Sequence, residues 1–448
     1  MSLTQHLTKE LYEDVKLKNK GQREFQQAVL HFLETIDPLL DQSEYFEEGL
    51  LKRFLTADRI IAFKVVWQDD NNKVQVNKGY RVQHNNALGP YKGGLRFHPS
   101  VNSSIIKFLA FDQTLKNALT DLLIGGAKGG SDFNPKGKSD NEIMRFTQAF
   151  MSELHHYLGP DWDIPAGDIG VGYREIAYMV GKLKQLRRCI DGTLTGKPVG
   201  YGGSLIRKEA TGYGLLYFME ALLNHFHQCD FTDKKVIVSG SGNVAIYAAE
   251  KAVSLGAKVI AMSDSSGYVT NPDGLNIEHI KKVKEENRQR IDKVCHYDKK
   301  ATFVSEGSIW QCACDVALPC ATQNEVTLDD IKALHKQNVL AIGEGANMPL
   351  TEEAMDYVKE NNIILAPGIA SNAGGVAVSA LEMSQNASKL MWSSEEVDQR
   401  LQHIMANIFT EVLTTAQQFN HGSNLILGAQ LAGYLKVAKA MVEQGIVY

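Results

Sequence analysis

Residues 236–245 (VIVSGSGNVA) constrain the fold more than any other stretch of this 448-residue chain. β-Branched residues lead into a G-x-G-x-x-A turn, and helical apolar spacing follows as far as Leu255. Gly240 permits the tight turn, Gly242 lets a pyrophosphate approach the backbone, and Ala245 allows close packing of helix on strand. The start of the helix offers unpaired N–H groups and the positive end of its dipole. The next strand, 258–262, runs into Ser263, Asp264, Ser265, Ser266 and Gly267, so Asp264 falls near the offset of a ribose-binding acid. Short apolar runs at 315–318, 339–342 and 363–365 continue the alternation, which predicts an open parallel sheet of the Rossmann type.

A second constellation lies upstream. Lys92 precedes Gly93 and Gly94, Lys116 precedes Asn117, and Lys128 stands between Gly125-Gly126-Ala127 and Gly129-Gly130. Asp168 follows in Pro165-Ala166-Gly167-Asp168. Glycine allows close approach of backbone and ligand, so a lysine set among glycines is held in place rather than spread on a solvated face. Three such cations and one carboxylate suit a small substrate with two carboxylates and an amine or carbonyl to be activated. Beside a dinucleotide site, this points to hydride transfer on an amino or keto diacid.

The chain is longer than one hydrophobic core usually serves. Its first fifty residues read as helical, with Phe25, Val29, Phe32, Leu33 and Ile36 at helical spacing. A strand at 60–67, a turn at 69–72 and a second strand carrying Val74, Val76, Tyr80 and Val82 come next. Helices at 103–123 and 140–158 flank the 125–130 segment, which reads as a loop, so the chemistry of this region is expected in loops. A further helix is predicted at 211–223. Beyond Asn372 the pattern is helical again, with Ser393 and Glu396 as a capping box and Val397, Leu401, Ile404, Ile408 and Val412 as an apolar stripe. The expected class is α/β: a substrate and oligomerisation domain (1–203), a Rossmann-type dinucleotide domain (204–375), and C-terminal helices (376–448) packing back on the first domain across the cleft.

A net charge of −5 argues against general nucleic-acid binding. No apolar run is read as approaching the roughly 18 residues of a membrane span, and residues 1–6 lack the pattern of a signal peptide. No membrane partner is expected, and the cytoplasm is the expected location. Six cysteines are too few for a disulfide scaffold in so long a chain. Cys312, Cys314 and Cys320 match no common zinc spacing and read as a buried strand end. Surface or loop roles suit His155, His156, Asp161 and Asp163, and no metal is expected.

With these residues assembled, the chain resembles the glutamate dehydrogenases, specifically the short hexameric bacterial and fungal type, from end to end. The resemblance rests on residues 91–98 (YKGGLRFH), 125–130 (GGAKGG), 165–170 (PAGDIG), 209–214 (EATGYG), 343–349 (GEGANMP) and 371–375 (SNAGG). It implies reversible oxidative deamination of L-glutamate to 2-oxoglutarate and ammonium, a place in ammonium assimilation, and a homohexamer. It makes Lys128 the catalytic lysine and Asp168 the acid/base. Lys116 and Gln113 are implied for the α-carboxylate, Lys92 and Ser379 for the side-chain carboxylate, and the Gly167 backbone for the amino group, with Thr195 lining the distal pocket. Thr211 and Asn243 match cofactor contacts, joined by Gly240, Gly242, Val244, Asn347 and Asn372.

The cofactor is the less determined part. An acid such as Asp264 usually binds a ribose 2′-hydroxyl and repels a 2′-phosphate. Against that, Ser263, Ser265 and Ser266 crowd around it, and residues 281–290 carry several cations. The 263–267 turn resembles NADP-linked members, and Lys136 fits a 2′-phosphate partner by resemblance. NADP is therefore expected, with NAD the alternative.

The chemistry agrees with the resemblance. A free lysine titrates near ~10.4, too high for proton exchange at neutral pH. Closure of the cleft, with the positive charges of Lys92 and Lys116 nearby, should bring Lys128 towards ~7–8, while those two stay charged as anchors. Branched-chain and aromatic amino-acid dehydrogenases of the same superfamily are the nearest rivals. They line the distal pocket with apolar residues, and Lys92 and Ser379 argue against them.

Overall fold

Alternating burial from Arg59 onwards builds a five-stranded sheet. Its strands are β1 (Arg59–Gln68), β2 (Val74–Asn85), β3 (Tyr91–Phe97), β4 (Gly126–Ser131) and β5 (Asp163–Gly167), in the order β1-β2-β4-β3-β5. The β1–β2 and β2–β4 pairs are antiparallel, and β3 runs parallel to both β4 and β5. The structure, a computed structural model, describes residues 3–188 and 191–446.

The glycine-rich lysine segments are therefore strands, not the loops expected from their composition. Their glycines answer to packing. A Cβ on Gly93 would lie 1.6 Å from the Ala127 carbonyl oxygen. One on Gly126 would lie 1.9 Å from Thr114 Oγ1 and 2.5 Å from Thr114 Cα. Thr114 belongs to the Ser103–Leu119 helix, which presses onto β4 too closely for any side chain at Gly126. Strands buried on both faces lack the polar alternation by which sequence reading finds them.

Register assigns the faces. Leu95 pairs with Gly129, Arg81 with Gly129, Tyr91 with Asp163, and Val82 with Lys128. Because side chains alternate along a strand, Lys92, Arg96 and Lys128 share the face of Val82, which packs with Ile106 and Ala110 of the Ser103–Leu119 helix. The other face carries Leu95 and Phe97. They pack against Phe133, Phe146 and Phe150 and against Ile176 and Met179 of the Tyr173–Arg187 helix. On that face Arg81 Nε donates to Asp163 Oδ2 at 3.0 Å and Nη1 to the Gly93 carbonyl at 3.0 Å, which ties β2, β3 and β5 together.

The dinucleotide unit has seven strands: β6 (Lys235–Val238), β7 (Lys258–Asp264), β8 (Gly267–Thr270), β9 (Thr302–Val304), β10 (Val316–Leu318), β11 (Ala341–Gly343) and β12 (Leu365–Ala366). Their order is β12-β11-β10-β6-β7-β8-β9. Strands β12 to β7 are parallel, but β8 and β9 are antiparallel, which departs from the all-parallel expectation. The reason is local: Asp264 pairs with Gly267, so only Ser265 and Ser266 turn the chain, and a two-residue loop joins antiparallel strands.

The chain forms two compact units, one of Met1–Arg207, Val378–Val397 and Gln430–Tyr448, the other of Lys208–Ala377 and Asp398–Ala429. Residues 398–429 thus differ from the expected return of all of 376–448 to the first domain. The helix Ser394–Gln418 carries the expected stripe, but its Phe409 packs edge-on against Phe218 at 5.5 Å, and Asp398 Oδ2 accepts from Tyr217 at 2.7 Å. An apolar stripe does not name the surface that covers it. Among the described residues one helix, Leu425–Glu443, is long and apolar enough by length and composition to cross a membrane, although Lys436 and Lys439 interrupt its apolar run. Its Tyr434 is buried among Phe32, Phe46 and Phe54, with ring centroids at 5.2, 5.7 and 4.9 Å.

Two glycines separate the effects of packing and chain entropy. Gly126→Ala forces a Cβ onto the Thr114 backbone and should destabilise by about 1–3 kcal/mol or more. Gly181, within the Tyr173–Arg187 helix, has nothing within 4 Å of its Cβ position, so Gly181→Ala should stabilise by about 0.5–1 kcal/mol. Urea midpoints that move in the same direction for both variants would contradict this packing account.

Candidate active site

Asp168 leaves the end of β5 and turns back at once, its carbonyl accepting from Val171 N at 2.9 Å. The turn brings its carboxylate to the lysine face. Lys128 Nζ lies 3.2 Å from Oδ1, and Arg96 Nε donates to Oδ2 at 2.8 Å. Burial alone would raise the Asp168 carboxyl, but Lys128 and Arg96 outweigh it and hold it at about 2. Burial lowers Lys128, and Asp168 partly offsets that. The contact sets the Lys128 nitrogen and the Asp168 carboxylate within reach of each other for proton exchange.

A second group of cations lies further along the same face. Lys92, only 1% exposed, donates to the Ile164 carbonyl at 3.1 Å and to Thr195 Oγ1 at 2.7 Å. Both acceptors are neutral. Burial, then the nearby charge of Arg207, pushes Lys92 well below the ordinary lysine range, with Glu382 opposing. Arg207 Nε donates to Ser379 Oγ at 2.9 Å. The structure therefore brings Lys92, Thr195 and Ser379 into one cluster and adds Arg207, which the sequence reading missed because it stands in none of the quoted motifs.

The Ser103–Leu119 helix supplies Gln113 and Lys116. Gln113 Nε2 donates to Asn117 Oδ1 at 2.7 Å, and Asn117 Nδ2 donates to the Lys92 carbonyl at 3.0 Å, so helix and β3 are locked at the site. Asp112, one turn before Lys116, was also missed. Burial pushes its carboxyl up to about 7, against the pull of Lys116 and Lys128. Gly167 sits at the end of β5 beside Leu95, with its Cβ position 2.5 Å from the Val171 carbonyl oxygen. Arg96 stands in the 91–98 stretch that carries the resemblance, and β3 places it on the face of Lys92, four residues before it.

In the other unit, Gly240 adopts φ +85 with its Cβ position 3.0 Å from Ala321 Cα, the left-handed turn that the motif requires. Gly242 caps the Asn243–Ser254 helix, no side chain caps that helix, and nothing lies within 4 Å of the Gly242 Cβ position. An open helix N-terminus of this kind fits a pyrophosphate. Asn243 and Val244 form its first turn. Asn372 Nδ2 donates to Asn347 Oδ1 at 2.9 Å, so those two residues are brought together, and Thr211 lies in the first turn of the Ala210–His227 helix. Lys136 is exposed in the first unit.

Asp264 is engaged rather than bare. Oδ2 accepts from Lys284 Nζ at 2.8 Å and from Ile291 N at 2.9 Å, and Oδ1 from Ser266 N at 2.8 Å. Despite burial, which opposes ionisation, these bonds hold it at about 2. Arg290 donates to Ser265 Oγ. The end of β7 therefore presents an acid balanced by Lys284, with a serine and Arg290 beside it, a set suited to a phosphate.

The Asp168 arrangement has a pH signature. An unfolded aspartate titrates near ~3.9. The folded value is lower, so the contribution is complete above the unfolded value and is lost as pH falls towards about 2. The stability margin of the protein over its Asp168→Asn variant should shrink by about 1 kcal/mol between about pH 5 and pH 3. A constant margin in chemical denaturation over that range would refute the assignment.

A model described as Glutamate/Leucine/Phenylalanine/Valine dehydrogenase matches residues 202–445, and one described as the Glu/Leu/Phe/Val dehydrogenase dimerisation domain matches residues 57–185. Over 436 residues the chain is 50% identical to the NADP-specific glutamate dehydrogenase of Salmonella typhimurium, covering 97% of each. It is 50% identical over 440 residues to the NAD(P)-specific glutamate dehydrogenase of Xylanibacter ruminicola, covering 98% of this chain and 99% of that one. The crystal structure of Plasmodium falciparum glutamate dehydrogenase matches with a TM-score of 0.96 at 47% identity, covering 98% of this chain and 95% of that one. The α/β class read from the sequence is the observed one. By both domain models and by identity over nearly its whole length, the chain belongs to the Glu/Leu/Phe/Val dehydrogenase family.

Proposed function

We propose that this protein catalyses the reversible oxidative deamination of L-glutamate to 2-oxoglutarate and ammonium with NADP. The observation that carries the choice of substrate is the buried Lys92 ammonium, whose hydrogen-bond acceptors are neutral and which has Arg207 close by. A second carboxylate on the substrate supplies the missing anion, and an apolar side chain would leave the cations unpaired. Relatives named for glutamate and NADP support the same reading. The dimerisation-domain match supports an oligomer, which we take to be a homohexamer acting in the cytoplasm.

We assign Lys116 and Gln113 to the α-carboxylate, Lys92, Ser379 and Thr195 to the distal carboxylate, and the Gly167 backbone to the amino group. NADP, when bound, supplies the acceptor for the hydride leaving Cα. Gly240, Gly242, Asn243 and Val244 would hold its pyrophosphate, and Thr211, Asn347 and Asn372 would complete the site. Ser265 and Arg290, beside an Asp264 whose charge Lys284 balances, favour a 2′-phosphate over a bare ribose, and Lys136 is assigned to the same group by resemblance.

Oxidation at Cα leaves a substrate iminium, which water must attack at carbon. Neutral Lys128 takes the proton from that water. Lys128 reaches that step neutral by passing its proton to the Asp168 carboxylate 3.2 Å away; the proton taken from water charges it again, and Asp168 gives the proton it holds to the departing amine. Arg96 remains as the fixed partner that keeps Asp168 aimed. In the reverse direction the same groups deliver the protons.

The test is kinetic. NADPH oxidation should require both 2-oxoglutarate and ammonium and should exceed NADH oxidation. Lys92→Leu with Ser379→Val should cut glutamate kcat/KM at least ~10-fold, since a charge-assisted hydrogen bond contributes about 1.5–3 kcal/mol. Turnover of norleucine should hold or rise. Equal losses on the two substrates would show that the pair supports the fold rather than reading the side chain.

A further inference from the structure

We propose that Glu382 is a positioning residue for the distal-carboxylate site, holding the 194–197 turn so that Thr195 and Lys92 meet the substrate's second carboxylate. The inference rests on the glutamate reading above and extends it to a residue that touches no substrate.

Glu382 is fully buried on the Gly374–Ser388 helix, three residues beyond Ser379 and so on the same helical face. Its Oε2 accepts from Gly196 N at 2.9 Å and its Oε1 from Lys197 Nζ at 2.6 Å. Lys197 Nζ also donates to the Leu194 carbonyl, which closes the turn on itself. Gly196 takes φ +82, a conformation that other residues adopt only under strain. Between these anchors Thr195 N donates to the Pro165 carbonyl at 3.0 Å, and its hydroxyl accepts from Lys92 at 2.7 Å. One turn further along the helix, Asn386 Nδ2 donates to the Gly202 carbonyl at 2.7 Å. Ser379, Glu382 and Asn386 thus fasten the 196–207 segment at three points.

A simple buried ion pair would need only Lys197. Glu382 also takes the backbone N–H next to Thr195, so its geometry is transmitted to the hydroxyl that fixes Lys92. It is also the acid opposing the discharge of Lys92, against Arg207, Arg81 and Lys197. Loss of its charge both loosens the turn and weakens the ammonium.

The experiment is steady-state kinetics of full-length Glu382→Gln with glutamate and with L-norvaline, which shares the α-amino acid head but lacks the distal carboxylate. The glutamate KM should rise at least ~10-fold with kcat within about 3-fold, while norvaline kcat/KM stays within about 3-fold. The high-pH limb of the glutamate KM profile should move to lower pH, because Lys92 loses the anion that supports its charge. Equal losses on both substrates, or an unmoved limb, would overturn the proposal. If Glu382→Gln does not fold, Lys197→Met with Glu382→Gln removes the buried pair as a unit. That variant should show the same glutamate-selective rise in KM, and an unchanged KM would overturn the proposal. Failure of the unaltered protein to turn over glutamate would overturn the parent reading as well, which separates the two failures.

Discussion

Around Lys92 the first unit buries more positive than negative charge, and the proposed specificity rests on that imbalance. Among the described residues Lys92 hydrogen-bonds to a carbonyl and a hydroxyl alone, and Arg207 spends its Nε proton on Ser379. Glu382, the acid that opposes the discharge of Lys92, is occupied by Lys197 and Gly196 N. An ammonium without a counter-charge is costly in such a setting, and lowered basicity is the way a lysine accommodates it. A ligand carboxylate relieves that cost, and a hydrocarbon side chain does not. Attraction for one substrate and rejection of another are therefore the same term.

The imbalance is tolerable because the scaffold cannot relax around it. Helix Ser103–Leu119 lies against β4 at the distance Gly126 permits, and Asn117 ties that helix to the Lys92 carbonyl. On the opposite face the Arg81–Asp163 pair joins β2 to β5, with Arg81 reaching the Gly93 carbonyl between them. Both catalytic candidates inherit this rigidity, since Lys128 and Arg96 project from neighbouring strands onto Asp168. Preorganised charge of this kind stabilises the developing charges of a reaction without reorganising during it.

What could be read in the sequence was what local geometry encodes. Gly240, Gly242 and Ala245 specify a backbone turn, and Ser393 with Glu396 specify a helix start, so both features were legible without tertiary knowledge. The strand identity of 91–97 and 126–131 was not, because glycines selected by a helix overhead look like loop residues. Arg207 and Glu382 depend on partners 172 and 186 positions away, a relation no periodicity reports. The partner of residues 398–429 was hidden for a similar reason, since their stripe is equally apolar whichever surface covers it.

Calorimetric titration of the protein with glutarate, a dicarboxylate without an amino group, tests the charge imbalance most directly. Run near pH ~8 in two buffers of different ionisation enthalpy, it measures protons exchanged on binding. A carboxylate arriving beside a depressed Lys92 raises its affinity for a proton, so binding should take up protons, should weaken as pH rises, and should lose that uptake in Lys92→Met. Binding that is equally tight at every pH, with the same enthalpy in both buffers, would mean that no proton accompanies the carboxylate, and would contradict the account.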